Sequence, residues 1–87
     1  MYIHIGQDVS IRFNTIILIV DLEKTTISKI TKEFLKISEE EDFITNVSEK
    51  IPRTAIICED NGRSRVYLTN ISSSTITKRV NKNRMWN

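Results

Sequence analysis

Thr54-Ala55-Ile56-Ile57-Cys58-Glu59-Asp60-Asn61-Gly62-Arg63-Ser64-Arg65-Val66-Tyr67-Leu68-Thr69 is the stretch whose reading decides the fold. Thr54–Cys58 is aliphatic and suits a strand, and Asn61-Gly62 is the dipeptide of a type I′ turn, whose two central residues both need φ > 0. The chain therefore turns back as a hairpin into Arg65–Thr69. Alternation predicts Val66 and Leu68 facing inward, with Arg65, Tyr67 and Thr69 on the other face. Immediately upstream, Lys50-Ile51-Pro52-Arg53 holds the chain's one proline, which excludes a central strand at that point because it has no N–H to give to a ladder.

Toward the N-terminus, Tyr2-Ile3-His4-Ile5 alternates up to Gly6, and Gln7-Asp8 supplies turn chemistry. Val9, Ile11 and Phe13 then share one face while Ser10, Arg12 and Asn14 share the other, which predicts a half-buried strand with Arg12 pointing outward. Asn14-Thr15 breaks the pattern before Ile16-Ile17-Leu18-Ile19-Val20, a run apolar on both faces. Such a run predicts a strand buried on both sides, with a helix over one side and a partner subunit as a candidate for the other. It is far short of the ~20 residues that cross a bilayer.

After Asp21–Lys24 the period changes from two to about 3.6. Ile27, Ile30, Phe34 and Ile37 fall at helical spacing, with Thr25 or Thr26 as a cap and Lys29, Lys32, Glu33 and Lys36 around the opposite face. The acidic run Glu39-Glu40-Glu41-Asp42 ends this amphipathic helix, since the dipole there favours cations. Phe43–Val47 reads as a short strand. In the last segment, Ser72 is the expected N-cap, and Ile71 before it with Ile76 inside the helix forms a hydrophobic staple. The free N–H groups and hydroxyls at Ser72-Ser73-Ser74-Thr75, with Lys78 and Arg79 a turn or more further on, make a candidate phosphate seat, for which ordinary capping is the plainer reading. The expected fold class is α+β: a small, mostly antiparallel sheet with one amphipathic helix and a short C-terminal helix. Residues 1–80 form the single domain and 81–87 a basic C-terminal tail.

Composition narrows the function. The chain has 87 residues, 39% hydrophobic and 28% charged, which allows one core and excludes a second. A lone cysteine, Cys58, and no apolar leader after Met1 predict a reducing, cytoplasmic setting. The net charge of +2 hides an asymmetry: residues 1–60 carry seven Lys/Arg against eleven Asp/Glu, whereas residues 61–87 carry Arg63, Arg65, Lys78, Arg79, Lys82 and Arg84 with no acid. A surplus of −4 thus faces a surplus of +6, as expected of a chain with one polyanion-facing end. Catalysis is not expected. His4 is the only histidine, no multi-histidine metal site can form, and phosphate-loop, GxGxxG and CxxC patterns are missing. No cofactor, metal or small-molecule substrate is expected.

The order of these pieces resembles a known family. Met1-Tyr2-Ile3-His4-Ile5-Gly6-Gln7-Asp8, the aliphatic run ending Val20-Asp21, the helix after it, and Ser72-Ser73-Ser74-Thr75 followed by Lys78-Arg79 are similar to the RemA/RemB family of bacterial extracellular matrix regulators, closest to the RemB branch. The resemblance implies a transcription regulator that binds DNA, assembles into a closed ring and has a sheet-rich fold like LytTR DNA-binding domains. It also implies DNA contacts from a basic cluster just before the strand that follows the long helix. Lys50 and Arg53 occupy that place, with Ile51 and Pro52 where further basic residues are expected. A second family arginine matches Thr15, with Arg12 the nearest substitute. These departures either weaken DNA binding or move it to Arg63, Arg65, Lys78 and Arg79.

Two functions follow. The first is an oligomeric DNA-binding regulator of extracellular-matrix and biofilm genes, with Arg53 as the groove-facing residue and Lys50, Arg12 and Arg65 in support. Each subunit then offers only a few cations, and self-association into a ring or other oligomer multiplies them. The alternative is a structural or partner-binding module of the same fold that has lost most DNA affinity, favoured by the acidic first sixty residues. A membrane-surface contact through Arg84-Met85-Trp86 is the weakest reading, since so short a tail does not anchor stably.

Overall fold

Six strands and one helix follow one another in the described residues, 1–23 and 43–84, of the computed structural model. They are β1 (Tyr2–Gly6), β2 (Val9–Arg12), a 3-10 turn (Phe13–Thr15), β3 (Ile16–Asp21), β4 (Ile44–Asn46), β5 (Thr54–Asp60), β6 (Arg63–Thr69) and α1 (Ser73–Arg84). The expected amphipathic helix after Lys24 and Met85–Asn87 lie outside the described residues. Helix α1 runs past Val80 through residues 81–84 of the expected tail.

The central hairpin forms as its sequence dictates. Asn61 (φ 53°) and Gly62 (φ 78°) both take positive φ, and β5 and β6 pair antiparallel from Thr54↔Thr69 to Asp60↔Arg63. On one side of it β3 pairs antiparallel with β5, and on the other β4 pairs parallel with β6, giving the order β3-β5-β6-β4. The β1–β2 hairpin is a separate two-stranded sheet. Its turn needs Gly6: φ is +131°, and a Cβ there would meet Thr69 Oγ1 at 3.0 Å and Val47 Cγ1 at 3.1 Å.

The main core lies between one face of the four-stranded sheet and a cover made of the β1–β2 hairpin and α1. Ile3, Ile5 and Ile11 come from the hairpin, Ile76 and Val80 from α1, and Ile56 and Cys58 from β5. Helix α1 starts as predicted. Ser72 Oγ accepts from the Thr75 N–H at 3.3 Å, Ile76 is fully buried, and Ile71 packs on the same cluster. Two polar side chains, Thr54 and Thr69, are fully buried as directly opposed partners. Thr69 Oγ1 donates to the Ile5 carbonyl at 2.5 Å and accepts from the Ile71 N–H at 3.2 Å, while Thr54 Oγ1 donates to the Ile71 carbonyl at 2.7 Å. The pair thus ties the sheet to β1 and to the segment that leads into α1, which is why hydroxyls are tolerated there.

Two expectations about exposure are corrected. Val66 is buried, but the face of β6 that carries Tyr67 and Thr69 is not a solvent face: Thr69 is fully buried and Tyr67 packs on the main core. Both sheet faces carry apolar side chains, and the second bears the row Leu18, Ile57, Val66 and Ile44 across all four strands. Alternation tells which residues share a face, but not that the face of Tyr67 and Thr69 is the one packed against the β1–β2 hairpin and α1. The run Ile16–Val20 is likewise not buried on both sides. β3 is an edge strand, a register shift falls between Ile16 and Leu18, and Ile17 and Leu18 remain 60% and 51% exposed.

Candidate nucleic-acid interface

The seven basic residues singled out in the sequence separate into three places. Lys50 and Arg53 stand just before β5, at the end of the sheet closed by the threonine pair. Arg12, Arg63 and Arg65 gather at the opposite end, beside the hairpin tip. Lys78 and Arg79 lie on α1. Arg53 and Cys58, the strand partner of Arg65, are five residues apart along one strand, so the first two groups are separated by about 17 Å.

Arg53 is held by its backbone. Its N–H donates to the Thr69 carbonyl at 2.8 Å and its carbonyl accepts from the Leu22 N–H at 2.9 Å, which extends the ladder one residue beyond β5. The side chain is exposed, and its Nε donates to Glu23 Oε1 in an ion pair. Glu23 is itself set by an N–H bond to Asp21 Oδ1 at 2.9 Å, a turn that Asp side chains favour. The bond to Glu23, then its charge, and more weakly the charge of Asp21, raise the Arg53 guanidinium above its ordinary value, so this residue is a cation at every working pH. Any phosphate that engages it must compete with Glu23. Lys50 is exposed on the loop whose backbone is turned by a Lys50 N–H bond to Ser48 Oγ at 3.1 Å. Ile51 beside it is 86% exposed.

At the other end, Arg12 from β2 and Arg63 and Arg65 from β6 line one open cleft of about 1140 Å³. Arg63 and Arg65 share a face because they are two residues apart on a strand. Arg65 Nη1 donates to Thr45 Oγ1 at 2.9 Å, and neither Arg12 nor Arg63 has an ion-pair partner among the described residues. Tyr2, Phe43 and Tyr67 line the same cleft. Thr15, standing where the resemblance expects an arginine, also lines it and bonds back to the Arg12 carbonyl at 2.7 Å. Cys58 lies in the lining too, and burial pushes its thiol up while a bond to Thr15 pulls it part of the way back.

Helix α1 divides its two candidates. Lys78 is exposed, but Arg79 is half-buried, and its Nη1 donates to the His4 carbonyl at 2.8 Å and lies 3.5 Å from His4 Nδ1. That guanidinium straps α1 to β1. The hydroxyls of the serine-rich segment bond to one another, Ser72 with Ser74 at 3.2 Å and with Thr75 at 2.9 Å, so they serve the cap. Sequence reasoning missed Glu23, thirty residues from its partner, and the aromatic lining of the cleft. The only sequence signal for the latter was the Gly6 turn, which sets the register that puts Tyr2 opposite Arg12.

No helix among the described residues is long and apolar enough to cross a membrane. A search of curated proteins finds no match to the chain. A family model does match, RemA-like, described as extracellular matrix regulatory protein A-like, over residues 2–80. With nearly the whole chain inside that match, the protein belongs to the RemA-like family of extracellular matrix regulatory proteins.

Proposed function

We propose that the chain is an oligomeric, DNA-binding transcription regulator of extracellular-matrix genes, working in the cytoplasm. Within its family it stands nearest the RemB branch, with the sheet used as in LytTR-like DNA-binding domains. Family membership supports the regulatory role. The observation that carries the DNA-binding part is the pair Lys50 and Arg53. Both are exposed at one sheet end, where the rigid strand start fixes the backbone of Arg53 and leaves its long side chain to reach a phosphate. Self-association draws on the apolar edge formed by Ile17 and Leu18, since a strand edge with open backbone groups and apolar side chains is a template for a second chain. Joined copies then present their cations together, which compensates for the few that each holds.

An electrophoretic shift with promoter DNA, run beside a solution mass measurement, tests this. The expected result is a mass of several subunits and a shift that weakens in Lys50→Ala and Arg53→Ala. The salt dependence should flatten by roughly 0.9 in log–log slope for each phosphate that a variant no longer neutralises. A stable single-chain mass with no retardation at low salt overturns the reading. The second reading, a module of the same assembly with little DNA affinity, is favoured by two observations: Arg53 is already engaged by Glu23, and Ile51 stands exposed where the resemblance expects a basic residue. A multisubunit mass without a salt-dependent shift selects it.

A further inference from the structure

The cleft at the hairpin-tip end differs in kind from the Lys50–Arg53 end. Arg12 projects from one wall, β2, and Arg63 and Arg65 from the other, β6. Asp60 is the one acid among the described residues that line it, and no ion pair joins it to any of the three. Two guanidinium-bearing walls facing one space focus an electropositive field on whatever enters it. A guanidinium also matches the oxygens of a phosphate two at a time. Anion binding alone, however, does not account for the other walls. Both of the chain's tyrosines and one of its three phenylalanines line the cleft, and Tyr2 and Phe43 are left 65% and 42% exposed. Exposed aromatic rings beside arginines are the pairing that stacks a base while holding its phosphate.

We propose that this cleft binds a nucleoside phosphate whose base is unstacked, with Arg12, Arg63 and Arg65 on the phosphate and the rings of Tyr2, Phe43 and Tyr67 against the base. A duplex supplies phosphates but keeps its bases stacked inside, so it leaves the aromatic walls unused. The occupant is therefore a free nucleotide or an unpaired residue of a strand. The volume of about 1140 Å³ exceeds what one small molecule usually fills, leaving room for a nucleotide together with solvent or a second nucleotide. This site goes beyond the proposed duplex contact and stands whether or not Lys50 and Arg53 touch DNA.

The test is an NMR titration of the full-length chain with adenosine 5′-monophosphate, adenosine, inorganic phosphate and a short single-stranded oligodeoxyadenylate. The expected result is saturable shifts for the monophosphate at Tyr2, Arg12, Phe43 and residues 63–67, with far weaker shifts for adenosine and for phosphate alone. Arg63→Ala and Arg65→Ala should each weaken the monophosphate about tenfold, and Tyr2→Ala should weaken it without restoring any preference for bare phosphate. Lys50→Ala should leave it unchanged. All four substitutions fall at exposed positions, so the fold persists in the variants. Tighter binding of the oligonucleotide at the same residues identifies a strand as the source, and equal binding a free nucleotide. Either result keeps the site. Three outcomes overturn it: no saturable monophosphate binding, phosphate binding as well as the monophosphate, or competitive displacement of the monophosphate by duplex DNA, which would make the cleft part of the duplex surface.

Discussion

The two ends of the four-stranded sheet meet the same problem, arginines at the rim of a small core, and solve it differently. At the Thr54–Thr69 end the backbone of Arg53 is fixed on both sides and its side chain is paired with Glu23, directly beside two fully buried threonines. At the hairpin-tip end Arg12 and Arg63 have no ion-pair partner among the described residues and look into an open cleft. The difference teaches where ligand binding must displace something. A phosphate arriving at Arg53 exchanges one carboxylate for another anion, whereas one arriving at Arg63 meets no competing carboxylate among the described residues. Stability and binding are therefore expected to respond oppositely to substitution at the two ends.

The largest effect belongs to the closed end. Thr69→Val keeps the shape and removes the hydroxyl, so the Ile5 carbonyl and the Ile71 N–H both lose their partner. Leaving a buried group unsatisfied costs about 1–3 kcal/mol, which falls on the buried Ile5 carbonyl and less on the half-buried Ile71 N–H. In a domain of this size that lowers Tm by roughly 10 °C or more. Arg63→Ala at the open end should change stability by less than about 0.5 kcal/mol, because it removes an exposed side chain that makes no ion pair among the described residues. Thermal unfolding of the two variants measures the contrast, and equal shifts would break it.

What the sequence disclosed follows the range of the interactions involved. The Asn61-Gly62 turn, the staple of Ile71 across Ser72, and the short strand read at Phe43–Val47 and found at Ile44–Asn46 are set within a few residues, and each was legible. The parallel pairing of β4 with β6 and the edge position of β3 depend on which strands meet, so an apolar run at Ile16–Val20 read as buried although Ile17 and Leu18 face out. Alternation in β6 told which residues share a face but not that the face of Tyr67 and Thr69 meets the hairpin and α1. The site shows the same division. Its basic residues could be named one by one, but their grouping required two hairpins to close on each other. The Glu23 partner of Arg53 is brought near only by the pairing of β3 with β5.

A smaller effect probes the pairing at the closed end. Glu23→Gln keeps the side chain's size and removes the charge that occupies Arg53. Exposed pairs of this kind are weak and salt-screened, so the thermal midpoint should scarcely move. If Arg53 reaches DNA, the shift should appear at roughly two- to fivefold lower protein concentration in low salt, the size of a surface pair released. The gain should fade as salt rises, since both competitors for the guanidinium are screened. Binding that weakens instead would mean that Glu23 holds Arg53 in its productive position.

The smallest effect tells how far the core closes beneath the open end. Cys58 lines the cleft yet is itself buried, and burial raises its thiol above the ordinary value despite the bond to Thr15. Below about pH 8.5 the thiol is protonated both folded and unfolded and contributes no pH dependence. Above that value the unfolded chain gives up the proton first while the folded chain still holds it, so the native state binds more protons and stability falls as pH rises toward the folded value. Denaturant midpoints at pH 7.5 and 9.5 should therefore drop further for the natural chain than for Cys58→Ala, in which the other titrating groups are unchanged. Parallel drops in the two would mean that solvent in the cleft reaches the sulfur. The open end would then cut into the core itself, where the closed end, with its threonine hydroxyls all satisfied, keeps water out.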